Sequence, residues 1–191
     1  MAIVIDGSAN TIAGLAVGGL PDGSVDSDTL ASGLATQGIT HLDAWLLTAD
    51  KNWSGGNLLD ADVSRSTLFG NIGDPMTKSA SVFTFPVTGI WELDFRLMVT
   101  DATENAYAYA QINYTTNNGS AWNELVESAD AIPDDGSNDT YANPFCHVTF
   151  DVTDASTHKI QLRSVNEQGA VVKGNSTRMF SGCIFKRIGD T

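Results

Sequence analysis

Read as an extended chain, Ile90 to Leu97 places Trp91, Leu93, Phe95 and Leu97 on one side and Ile90, Glu92, Asp94 and Arg96 on the other. Side chains alternate in this way only along a strand. A strand with one apolar and one charged face belongs to an antiparallel sheet that covers a core on one side. A helix would put Trp91 and Phe95 on one side and Leu93 and Leu97 on the opposite one, breaking up the apolar face. The pattern recurs along the chain. Ser79 to Phe85 alternates with Phe83 and Phe85 on one face, and the turn Pro86-Val87-Thr88-Gly89 leads into the next strand. In Ala106 to Thr115, Tyr107, Tyr109 and Gln111 face one way while Ala108, Ala110, Ile112 and Tyr114 face the other. Asn117-Asn118-Gly119 then signals a hairpin returning through Ala121 to Val126.

Further strands are expected at Ala44 to Thr48, near Ser66 to Phe69, and at Phe145 to Val152, Lys159 to Val165, Gly169 to Lys173 and Arg178 to Ile188. The remainder of 49–76 reads as a long connection, and 129–140 reads as an acidic loop. Short strands at regular spacing with Gly and Asn turns predict an all-β fold, a sandwich or jelly roll.

Residues 1–43 have another character. Ile12 to Leu30 is small, apolar and glycine-rich, and it contains no aromatic residue. Such a segment cannot build a core of its own. It is expected to be an extended arm, with Ile12, Leu15, Val17, Leu20 and Leu30 as its apolar contacts and Asp22, Asp26 and Asp28 as its charged ones. Asp26-Ser27-Asp28 is also suited to cap a short helix beginning near Thr29. The predicted organisation is therefore an arm over residues 1–43 and one domain over 44–191.

Charge narrows the partners. The chain of 191 residues has 23 acidic and 10 basic side chains, a net charge of −13. Direct nucleic-acid binding needs a basic face, so it is excluded as an expectation. The apolar run Thr11 to Leu20 is about ten residues, too short to cross a bilayer, so no membrane partner is expected. Cys146 and Cys183 provide neither a metal spacing nor a disulfide framework, and free buried thiols are expected.

No catalytic motif stands out. His41, His147 and His158 are not spaced as zinc ligands, and neither a metal site nor a cofactor site is expected. Glu92 and Asp94 share a strand face, as paired glycosidase acids would, but the solvent face of an antiparallel strand is the simpler account and the one expected. The loop Asp134-Asp135-Gly136-Ser137-Asn138-Asp139 has oxygen donors suited to calcium without the spacing of a known calcium loop. It reads as a solvated turn.

Three phrases carry a family resemblance: FPVTGIWELDF at 85–95, NNGSAWNEL at 117–125 and MFSGCIF at 179–185. They resemble the hairpins and closing strand of C1q/TNF-like jelly rolls. That resemblance implies a C1q/TNF-like jelly-roll sandwich, a homotrimer, and a binding or building role without catalysis. Tyr107, Tyr109 and Phe180 are then the expected trimer contacts. The phrase GLAVGGLPDGSVDSDTLA at 14–31 resembles a recurring attachment segment of bacteriophage virion proteins. It implies a virion component assembled in a host bacterial cytoplasm. The arm would be fixed to the major capsid protein or another virion protein. Two roles follow, a head decoration or cement protein and a short tail-fibre protein that recognises a host glycan or protein. From Leu30 to Trp45 the chain spans at most ~50 Å and has no heptad series for a shaft. That favours decoration.

Overall fold

The computed structural model describes residues 4–6, 11–13 and 38–191 except 61 and 137. The chain divides into two compact units, Met1–Gln37 and Gly38–Thr191. In the first, β1 (Val4–Asp6) pairs antiparallel with β2 (Thr11–Ala13), Val4 opposite Ala13. The expected helix near Thr29 lies outside the described residues.

The second unit contains β3 (His41–Leu47), β4 (Lys51–Leu58), β5 (Val63–Arg65), β6 (Asn71–Ile72), β7 (Thr77–Ser79), β8 (Val82–Thr84) and β9 (Gly89–Arg96). It continues with β10 (Val99–Asp101), β11 (Asn105–Thr115), β12 (Asn123–Ile132), β13 (Thr140–Ala142), β14 (Phe145–Val152), β15 (Lys159–Val172) and β16 (Gly182–Gly189). A six-stranded sheet runs β14-β9-β16-β3-β5, with β6 also on β3. An eight-stranded sheet runs β12-β11-β15-β10-β13, with β4 and β8 also on β15 and β7 on β8. The described pairings are antiparallel.

Alternation fills the space between the sheets. Trp91, Leu93 and Phe95 of β9 are buried, while Ile90, Glu92 and Asp94 are half-buried on the other face. Ala108, Ala110 and Ile112 of β11 point inward, as the sequence predicts. Aromatic rings join the layers. Phe83 lies 5.2 Å from both Trp45 and Phe185, and Phe85 lies 5.2 Å from Trp91. Asn118 and Gly119 both have positive φ, 59° and 89°, and turn the chain within the connection between β11 and β12. Gly89 has φ 140°, and a Cβ there would stand 2.6 Å from the Gly189 carbonyl oxygen. Pro86-x-x-Gly89 therefore needs its glycine.

Cys146 and Cys183 are buried and free. Each lies opposite Phe95, on the two strands flanking it. Two strand spacings, about 10 Å, keep them beyond disulfide reach. Burial pushes the Cys146 thiol up to about 11, and Cys183 is shifted in the same direction for the same reason. Both are poor nucleophiles.

Several local expectations need correction. Residues 49–76 hold more strand than the one short piece expected, because β4 forms along a Gly- and Asn-containing run with no apolar alternation. Its partner is β15, whose fourteen residues give it a ladder to extend. No strand forms at 66–69, where Leu68 and Phe69 are 54% and 53% exposed. The short strands fall on either side, at β5 and β6. The two strands expected at 159–165 and 169–173 are one, β15, with a register irregularity between Asn166 and Ala170. The last strand begins at Gly182 rather than Arg178. Just before it, the Ser181 hydroxyl accepts from Met98 N (3.0 Å) and its carbonyl accepts from Leu47 N (2.9 Å), which carries the β3–β16 bonding one residue further.

Candidate interaction surface

The outermost strands of the two sheets, β12 and β14, meet along one side of the sandwich. Ser128 Oγ of β12 accepts from Phe145 N of β14 at 3.4 Å, and Asp130 Oδ2 accepts from Asn143 N at 2.9 Å. A terminal strand leaves backbone donors and acceptors unpaired, which makes such an edge a natural place for a partner. Two aromatic clusters flank it.

On the eight-stranded side, Tyr107 and Tyr109 of β11 stack with ring centroids 4.9 Å apart. Both are half-buried and outward-facing. Tyr109 lies opposite Ala129 of β12, next to Ser128. Beside them the outward face becomes polar. Gln111, 6% exposed, donates through Nε2 to Glu124 (2.7 Å) and Glu127 (3.1 Å) and accepts from Arg163 (3.1 Å). Desolvation, then the Glu124 charge, push the Glu127 carboxyl above its ordinary value. A carboxyl raised in the fold contributes its stability below its unfolded value and loses it as pH rises through the folded one. Glu127→Gln should therefore unfold at a higher temperature than the parent at about pH 7 and at the same temperature near pH 4. Paired melting curves at the two pH values check this.

On the six-stranded side, Arg96, Leu97, Met98, Asn143, Phe145, Met179 and Phe180 line a cleft of about 290 Å³. Phe145 is 48% exposed. Arg178 lies over the Phe180 ring, 5.4 Å from its centroid. Further along the same face, Lys186 pairs with Glu92, and His147 Nδ1 lies 2.6 Å from Asp94 Oδ1. That bond, followed in effect by the nearby carboxylates, raises the His147 imidazole above its usual value.

The structure thus brings Tyr107 and Tyr109 together and sets Phe180 on the other sheet's side. Of the arm candidates, Ile12 falls in β2. Leu15, Val17, Leu20, Asp22, Asp26, Asp28 and Leu30 lie outside the described residues. Glu92 and Asp94 share a face as expected, each with a cationic or imidazole neighbour. In the acidic loop, Asp134 accepts from Gly136 N (2.7 Å) and Asp135 from Asn138 N (2.6 Å), the bonding of a self-capped turn. The sequence did not single out Phe145. Its exposure was readable only as alternation, Phe145 out and Cys146 in.

No family model matches the chain, and no curated protein matches it in sequence. Solved structures do. Murine APRIL at pH 5.0 superposes with a TM-score of 0.56 at 12% identity, over 77% of this chain and 98% of that one. Eiger TNF from S. frugiperda gives 0.52 at 11% identity, over 80% of this chain and 94% of that one. At these identities the likeness is one of fold, and the sandwich is a TNF-like jelly roll.

Proposed function

We propose that this chain is a non-enzymatic structural protein of a bacteriophage particle, a homotrimeric decoration or cement protein held by its N-terminal arm. The carrying observation is the division of the chain. Among the described residues the buried core runs from Trp45 to Phe185, and Met1–Gln37 is a unit of its own. A domain with a core of its own leaves the other unit available for attachment. The phage-like phrase at 14–31 supplies the nature of the attachment, with the acidic residues pairing to basic groups on a major capsid protein or other virion protein.

The trimer is assigned to the β12–β14 edge. A threefold ring is heterologous, so each protomer offers two different patches. Phe145 and Phe180 provide one apolar patch beside the edge, and the Tyr107–Tyr109 stack borders it on the other sheet.

Deletion of residues 1–37 tests the division of labour. The shortened chain should remain soluble and trimeric and keep its unfolding temperature, but fail to join particles. Particles assembled without the protein should then lose resistance to heat and osmotic shock while adsorbing to cells normally. Robust particles that fail to adsorb would overturn the decoration role and support a receptor-binding tail protein directed at a host glycan or protein. Incorporation of the shortened chain at the normal level would remove the arm from the account.

A further inference from the structure

One group of metal-ligating side chains is assembled by the sheet and not by the sequence. Glu92 and Asp94 are two residues apart on β9, so both project from the outward face of the six-stranded sheet. His147 of β14 lies directly opposite Asp94 in the ladder, which puts the imidazole on that same face. One donor atom from each of the three lies within 4.8 Å of the others. Glu92 and Asp94 side chains are 19% and 29% exposed, and His147 is 54% exposed, so the group is half sheltered and open on one side.

We propose that Glu92, Asp94 and His147 form a binding site for a single transition-metal dication of the zinc type. The donor set decides the class. An imidazole nitrogen with two carboxylate oxygens suits zinc and its neighbours, whereas calcium and magnesium take oxygen shells. Ligand bonds of about 2.0–2.2 Å require donor atoms about 3.4 Å apart, a contraction of at most about 1.4 Å from their present spacing. Three protein donors leave the open side for water or for a donor from a partner.

The same geometry shows what the ion displaces. His147 and Asp94 now share a hydrogen bond of 2.6 Å, and an ion between them takes the place of that proton. Lys186 holds Glu92, and its flexible stem lets the ammonium swing into solvent when a dication arrives. Lys186 is thus a built-in competitor. This sets the proposed site apart from an ordinary ion-pair row, since removing the lysine should improve metal binding. The site lies on the jelly roll and does not depend on the attachment role.

The test is calorimetric titration of the full-length, tag-free chain with zinc chloride alone. One zinc per chain is expected to bind saturably. His147→Ala and Asp94→Asn should each weaken binding at least tenfold, and Lys186→Met should tighten it severalfold. Asp134→Asn, in the acidic loop, should leave it unchanged. The folded state of each variant is checked by its melting curve. Cobalt absorption in the visible range provides a second reading on the parent chain, where four-coordinate binding gives a far stronger band than the hydrated ion. The absence of saturable zinc binding by the parent would overturn the proposal. So would a His147→Ala chain that binds zinc as the parent does.

Discussion

Asp43→Ala is expected to lower stability by about 2–6 kcal/mol, because it leaves two buried N–H donors without their acceptor at roughly 1–3 kcal/mol each. Asp43 is 2% exposed. Its carboxylate accepts from Trp45 Nε1 at 2.9 Å, from Arg65 Nε at 2.9 and 3.1 Å, and from Met76 N at 3.0 Å. One side chain on β3 thereby ties down both ends of the excursion from 65 to 76. Arg65 also stacks over the Trp45 ring at 4.8 Å and donates to the Met76 carbonyl. Alanine would leave the guanidinium, the indole N–H and the Met76 amide without their acceptor. Arg65→Met combined with Asp43→Ala should cost less than the two single changes added, because they remove one shared network. Chemical denaturation of the four proteins gives the coupling. Equal sums would show that Asp43 acts independently of Arg65.

Phe83→Ala is expected to cost about 3–5 kcal/mol, through a different mechanism. Phe83 is fully buried on β8 and touches Trp45 edge-on and Phe185 at a tilt, each at 5.2 Å. Those two rings belong to the six-stranded sheet, so Phe83 is a bolt between the layers. Its loss leaves a cavity lined by large rigid rings that cannot easily collapse into it. Phe83→Leu should recover much of the loss by refilling volume. Thermal or denaturant unfolding reads both. A loss below about 1 kcal/mol for the alanine variant would mean that the layers are joined elsewhere.

These two residues show what the sequence made legible. Phe83 and Phe85 were readable as inward positions, because a strand's two-residue period and aromatic content suffice to define its buried face. The two faces of β11 followed from the same period, with Gln111 outward and Ile112 inward. The Asn118-Gly119 turn was readable from backbone chemistry alone. Asp43 was not. Its partners stand 2, 22 and 33 residues away, and no spacing rule links a carboxylate to an arginine and a backbone amide brought back by a long excursion. His147 was hidden for the same reason. Glu92 and Asp94 could be placed on one face, but only the β9–β14 register sets the imidazole beside them. β4 escaped notice because its strand conformation comes from its partner and not from its own side chains. Tyr107, Tyr109 and Phe180 were selectable as outward aromatics. Their arrangement around one sandwich edge required the sheet order.

The proposed threefold ring is open to sedimentation equilibrium of the full chain at micromolar concentration. One species at three times the 20.2 kDa chain mass is expected, reduced to smaller species when Phe145 and Phe180 are both changed to serine. A parent protein that sediments at 20.2 kDa under those conditions would contradict it.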